Sequence, residues 1–254
     1  MGTVERAGRL STNPIAPRDR LIFALDVPDA DRAATLVDAL GDAVTFYKVG
    51  LELILSRDFF GVVDLLRDRG KRLFVDGKLY DVPQTVAAAV RRLADLGATY
   101  TTVHGTGRAM LEAACRARDE TGGGLGILAV SVLTSLDDED LRDEGFGRDM
   151  DVSSLVVGRA GRALAAGCDG IVASGLEVGA LRAAHGDDFV IVCPGIRPVD
   201  RDDDQKRVVT PEMALRAGAD HIVVGRPIRD AADPRAAAEA IQDTIRSVFR
   251  AAGT

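Results

Sequence analysis

Short apolar runs recur along this chain, each separated from the next by a longer stretch of helical composition. That alternation constrains the fold more than any other feature. The runs are LIFALDV (21–27), VTFYKVG (44–50), RLFVDGK (72–78), ATYTTVH (98–104), LGILAVSV (125–132), GIVAS (170–174), FVIVCPG (189–195) and HIVVGR (221–226). Between them lie amphipathic stretches such as 29–40, 85–96, 108–120 and 153–166, and a last one, 234–249, closes the chain. Strands that read as almost continuous apolar runs are those buried on both faces, as in a parallel sheet covered by helices. Glycines in DLGAT, AAGCDG and RAGADH supply the residue type that ends a helix before the next strand.

Eight such units in 254 residues predict the α/β class and a single-domain (β/α)8 TIM barrel. An open doubly wound sheet is the alternative. It would want a G-x-G-x-x-G turn after the first strand, where LDVPDAD carries none. The barrel is expected over 19–254. Residues 1–18, with Pro14 and Pro17 among polar and basic neighbours, read as a flexible leader or as a strap across the barrel bottom. They lack the apolar stretch of a secretory signal, and no run in the chain approaches the length of a membrane span.

Net charge is −7, which argues against a general nucleic-acid surface while leaving room for a local basic pocket. The three cysteines, Cys115, Cys168 and Cys193, have neither metal-ligand spacing nor the pattern of a disulfide framework. They read as small core hydrophobes of a cytoplasmic protein.

Barrel chemistry sits at the C-terminal ends of the strands, and here those ends are charged. The first carries Asp26, the second Lys48, the third Asp76 and Lys78, with Asp81 just beyond. The fourth ends in His104, the fifth leads to Thr134, the seventh runs into Pro194 and Arg197, and the eighth ends in Gly225 and Arg226. Each has an ordinary structural alternative. Asp26 could cap the helix that follows it, Asp81 could cap a helix beginning near Pro83, and the lysines could extend from the rim to water. Residues i and i+2 of a strand share a face, so Asp76 and Lys78 are expected to point the same way. His104 reads as a structural hydrogen-bonder, His185 as a helix-terminal residue, and His221 begins a strand at the end away from the chemistry. The acidic run VDRDDDQKR (199–207) is of a kind usually found in solvated loops, yet it follows the seventh strand, where barrels often grip phosphate.

The segment FVDGKLYDVPQT (74–85) closely resembles the signature of the orotidine 5′-monophosphate decarboxylase family, Asp-x-Lys-x-x-Asp-[Ile/Val]-Pro-x-Thr. Further pieces agree in order: ALD at Asp26, YKVG at Lys48, VHG at His104, AVSVLTS around Thr134, CPGIR through Arg197, DDQKR at Gln205 and VVGRPI at Gly225 and Arg226. The resemblance runs from about residue 21 to the final helix. Two positions depart from the pattern: Gln84, where Asn or Thr is commoner, and Gly77, where a bulkier residue is usual. They bear on local backbone stiffness and replace no charged member.

The resemblance implies conversion of orotidine 5′-monophosphate to UMP and CO₂, in pyrimidine synthesis, with no metal and no organic cofactor. It implies catalytic roles for Lys48, Asp76, Lys78 and Asp81, with Lys78 as the proton donor. It assigns Asp26 and Lys48 to the ribose, with Thr85 nearby from a partner subunit, and Thr134 to the pyrimidine edge. Gln205 and Arg226 would bind phosphate with backbone help around Gly225, and Pro194 and Arg197 would flank a closing loop. It further implies a homodimer in which Asp81 enters the neighbour's site, with no nucleic-acid or membrane partner. Two rival readings stand beside it. One is a magnesium-using sugar-phosphate decarboxylase or aldolase of the same superfamily, which usually carries an acid where this chain has Lys48. The other is a phosphate-binding barrel without catalysis, which would have no need for a costly charge cluster.

Overall fold

A computed structural model describes residues 10–122, 124–147, 149–197 and 209–250. In chain order the elements are β1 (Leu21–Ala24), α1 (Ala30–Leu40), β2 (Phe46–Val49), α2 (Leu51–Ile54), α3 (Phe59–Asp68), β3 (Arg72–Leu79), α4 (Pro83–Asp95), β4 (Tyr100–His104) and α5 (Arg108–Glu120). Then follow β5 (Gly126–Val130), α6 (Asp138–Asp143), α7 (Val152–Ala165), β6 (Gly170–Val172), α8 (Val178–His185), β7 (Val190–Cys193), α9 (Pro211–Arg216), β8 (His221–Val224), α10 (Arg226–Arg229) and α11 (Pro234–Arg250). The eight strands are parallel and close in sequence order, β1 pairing with both β2 and β8. The expected TIM barrel is therefore the fold.

Period-two alternation sorts each strand. Ile22, Phe46, Phe74, Leu128, Val192 and Val223 meet inside the barrel. Their strand neighbours Phe23, Tyr47, Leu73, Val75, Ile127, Ile191 and Val224 join the layer between sheet and helices. Burying an apolar side chain of this size contributes roughly 1.5–3 kcal/mol relative to leaving it exposed. Both faces of every strand are thus committed, which is why the runs lack polar alternation.

Most strands are shorter than their apolar runs, because the outer residues of the runs already belong to the turns at the two ends of the barrel. β3 is the exception and extends to Leu79. Short helices such as α2, α6 and α10 carry too few turns to show a helical period in the sequence.

The N-terminal end of the barrel is plugged by an aromatic layer. The rings of Phe46, Tyr100 and His221 lie 5.6–5.7 Å apart, with the Arg72 guanidinium 4.3 Å from the Phe46 ring centre. Residues 10–18 run beneath it. Fully buried Asp220 accepts hydrogen bonds from Ile191 N at 2.7 Å, Arg182 Nη2 at 2.7 Å and Asn13 Nδ2 at 2.9 Å, and from the Ser11 hydroxyl. Residues 1–9 lie outside the described residues.

Candidate active site

The inward stripe of each strand changes character near its C-terminal end. On β2 it passes from Phe46 to Lys48, and on β3 from Phe74 to Asp76. Parallel strands bring these changes to the same end, where they surround a cavity of about 250 Å³. Asp26, Lys48, Asp76, Lys78, Thr134, Pro194, Arg197, Gly225 and Arg226 all line it, over apolar walls that include Phe74, Val172 and Val192. Gln205 lies outside the described residues.

Four charges alternate across this mouth. Lys48 Nζ is 3.4 Å from Asp26 Oδ1 and 3.3 Å from Asp76 Oδ2, and Lys78 Nζ is 2.9 Å from the same Asp76 oxygen. Asp76 is 8% exposed. Burial by itself would raise its carboxyl. The Lys48 and Lys78 ammoniums, aided by hydrogen bonds from Lys78 and Thr102, overcome that and hold it below the usual carboxylate range. A buried carboxylate flanked by two cations stays ionised where an isolated one would take a proton. Gly50 leaves room for the pairing, since a Cβ there would stand 3.2 Å from both Asp26 Oδ1 and Lys48 Nζ.

The capping alternatives for both aspartates fail. Asp29, rather than Asp26, caps α1 by accepting Arg32 N at 2.8 Å, which leaves the Asp26 side chain to the cavity. Val82 occupies the N-cap position of α4 and makes no side-chain cap. Asp81 is exposed, and its carboxylate accepts the adjacent Val82 N–H at 2.6 Å. Asp81 and Thr85 face solvent and do not line the cavity.

Asp76 and Lys78 do meet, but an alternating strand is not the cause. Val75 pairs with Thr101 and Leu79 with Val103, so the segment 76–78 bulges opposite the single residue Thr102. Among the described residues Lys78 is the one non-glycine with positive φ, +47°. Such a conformation costs a non-glycine residue on the order of 1–3 kcal/mol and persists where its surroundings enforce it. Thr102 supplies part of that enforcement: its hydroxyl accepts Lys78 N at 2.8 Å and donates to Asp76 Oδ1 at 2.9 Å. The sequence reading missed this residue, since a threonine inside a β-branched strand carries no signal of its own.

His104 packs its ring 5.3 Å from that of Tyr80. Burial first, then the nearby Lys78 and Arg159 cations, hold the imidazole below its ordinary range. His185 ends α8 with Nε2 3.0 Å from the Val157 carbonyl, and His221 lies in the aromatic plug at the far end of the barrel.

A closed parallel barrel with a lysine–carboxylate array around the cavity at its C-terminal mouth has the architecture of a TIM-barrel enzyme, whose active site lies at that end. Residues 19–241 match the model of the orotidine 5′-phosphate decarboxylase / HUMPS family, and the chain belongs to that family. It is 58% identical over 244 residues to an orotidine 5′-phosphate decarboxylase of Methylococcus capsulatus, an alignment covering 95% of this chain and 98% of the relative. To the Xanthomonas euvesicatoria enzyme of the same name it is 53% identical over 237 residues, covering 93% and 96%. The crystal structure of orotidine 5′-phosphate decarboxylase from Lactobacillus acidophilus superposes with a TM-score of 0.77 at 37% identity, covering 89% of this chain and 99% of that one.

Proposed function

We propose that this protein decarboxylates orotidine 5′-monophosphate to UMP and CO₂, the reaction named for its relatives. The observation that carries the reading is the Asp76 carboxylate held between the Lys48 and Lys78 ammoniums at the cavity wall. When the bond from C6 to the carboxylate breaks, the electron pair stays on C6 in the plane of the ring, where the π-system cannot delocalise it. Stabilisation must come from charges already in position. Lys78 provides the cation beside C6 and then its proton, which solvent later restores to the amine. Asp76 stands beside the departing carboxylate and keeps both ammoniums aimed. Asp26 and Lys48 are assigned to the ribose hydroxyls, Thr134 to the pyrimidine edge, and Arg226 with the Gly225 backbone to the phosphate. Pro194 and Arg197 are assigned to the flank of the loop that the family resemblance implies, whose residues 198–208 lie outside the described residues. Arginine suits phosphate because its planar fork donates paired hydrogen bonds.

The same reading makes the working unit a homodimer. Asp81 and Thr85 face solvent, and exposed apolar side chains lie on the segment linking β3 to α4 and just past α2: Tyr80 is 69% exposed, Val82 62% and Leu55 82%. A second copy seated there would cover this apolar surface and bring its Asp81 and Thr85 to the neighbouring mouth. The setting is assigned to the cytoplasm. Cys115, Cys168 and Cys193 are buried free thiols, which suits a reducing compartment, and among the described residues no helix is long and apolar enough to cross a membrane.

The magnesium-dependent sugar-phosphate reading meets a physical obstacle. Lys48 Nζ stands 3.4 Å from Asp26 Oδ1 and 3.3 Å from Asp76 Oδ2, so the position where those relatives usually carry an acid already holds a cation paired with the nearby carboxylates. The deciding experiment follows the absorbance of orotidine 5′-monophosphate with and without chelator. Chelator-resistant loss of absorbance supports the proposal. Activity that disappears on chelation and returns with magnesium, or no turnover of this substrate, overturns it.

A further inference from the structure

We infer that Thr102 is a positioning residue for this reaction: one hydroxyl ties the Asp76 carboxylate to the backbone of Lys78 and so sets where both charges stand. The kinetic consequence rests on the function proposed above, whereas the electrostatic consequence rests on geometry alone. Thr102 is fully buried on β4 beneath the charge array. Its Oγ1 lies 2.8 Å from Lys78 N and 2.9 Å from Asp76 Oδ1. An amide N–H can only donate, so the hydroxyl accepts there and its single proton goes to the carboxylate. The two lysines engage Asp76 Oδ2 while Thr102 engages Oδ1, so the carboxylate is held through both oxygens.

The bulge explains why a side chain is needed at this point. With Val75 opposite Thr101 and Leu79 opposite Val103, the intervening residues of β3 have no regular ladder partners on β4. The left-handed Lys78 turns its amide toward the Thr102 side chain instead. Without the hydroxyl, that amide loses its partner, Asp76 Oδ1 loses its donor, and the Lys78 backbone is free to relax toward the ordinary extended region. Both charges would then shift relative to a substrate held elsewhere in the cavity.

Thr101 provides an internal control. It is the same residue type on the same strand and is equally buried, but its hydroxyl donates only to the Val75 carbonyl, at 3.0 Å. The test compares Thr102→Val, Thr102→Ser and Thr101→Val for steady-state kinetics with orotidine 5′-monophosphate, thermal stability, and titration of the Asp76 carboxyl by NMR with labelled aspartate. Thr102→Val is expected to lower kcat roughly 10- to 100-fold, the span of a lost hydrogen bond to a charged group, with KM changed less than about threefold. It should also raise the Asp76 titration, moving the acid limb of the kcat profile to higher pH. Thr102→Ser should restore both, and Thr101→Val should lose stability without losing rate. If Thr102→Val does not fold, Thr102→Cys takes its place with the same expected direction, because a thiol is a weak donor. A Thr102 variant with unchanged kcat and unchanged Asp76 titration, or equal rate losses at Thr101 and Thr102, overturns the inference. If the wild-type protein does not decarboxylate this substrate, the functional reading fails, and the Asp76 titration alone decides the role of Thr102.

Discussion

Lys78 Nζ stands 2.9 Å from Asp76 Oδ2 across a strand bulge whose apex, Lys78 itself, is left-handed at φ +47°. The contact is made by two neighbours in sequence, yet it needs a partner strand to hold the intervening backbone out of register. Removing the ammonium should therefore have a local cost and a large chemical one. Lys78→Ala is expected to stay folded, because Lys48 still pairs with Asp76. Losing one aimed stabilising group typically costs about 10²–10³ in rate, and loss of the proposed proton donor should add to that. CO₂ release within tenfold of wild type, from a variant with a native circular dichroism spectrum, would remove Lys78 from its assigned role.

Asp81 is solvent-facing in the single chain, so its role in the shared-site proposal can be tested by complementation. Lys78→Ala and Asp81→Ala homodimers should each be nearly inactive. After subunit exchange in a one-to-one mixture, about half the dimers are heterodimers, each with one doubly defective and one intact site, so roughly a quarter of all sites regain function. No recovery after exchange has been verified by mass would mean that Asp81 serves its own subunit, or none.

Arg226 follows β8 at the cavity wall and is the proposed phosphate ligand. Arg226→Ala should impair the phosphorylated substrate far more than the bare nucleoside, since a charge-assisted contact is worth roughly 1.5–3 kcal/mol. In the proposed reaction the phosphate lies far from C6, and if its binding energy is realised in the transition state kcat should fall along with affinity. Equal effects on both substrates would dissociate Arg226 from phosphate.

At the opposite end of the barrel, His221 gives stability an acid dependence. Its Nδ1 donates to the Asp19 carbonyl at 3.0 Å, leaving Nε2 as acceptor 3.4 Å from the Tyr100 hydroxyl. Burial, partly countered by Asp220 and reinforced by Arg72 and Arg20, pushes the imidazole down to about 4 from 6.5. The folded state binds the neutral ring, so this contribution is complete above pH 6.5 and is lost as pH falls from there toward 4. The loss should reach on the order of 3 kcal/mol. Thermal melts of wild type and His221→Asn should converge across that window. Parallel curves would mean that His221 does not carry the dependence.

Much of this was legible in the chain. Eight apolar runs without polar alternation require strands covered on both faces, and their order prescribes the barrel. Because parallel strands share one C-terminal end, Asp26, Lys48, Asp76 and Lys78 at run ends meet at one mouth, whatever the register. Those properties depend on local composition and chain direction alone.

Contacts set by register were not legible. Thr102 reads as one more β-branched strand residue until the pairing of Val75 with Thr101 and Leu79 with Val103 puts it opposite the bulge. Cys115 and Cys168 are scattered in sequence but bring their Sγ atoms to 3.8 Å between helix and sheet. Asp26 and Asp81 each had a plausible cap to make, and only the helix starts, with Asp29 and Val82 as their N-caps, decided that neither makes one. Composition and order along the chain are one-dimensional, and they determined the strands, the barrel and the inventory of charges. Distances across a bulge are set by the pairing of two strands and by the dense packing around them, and only the folded chain decides those.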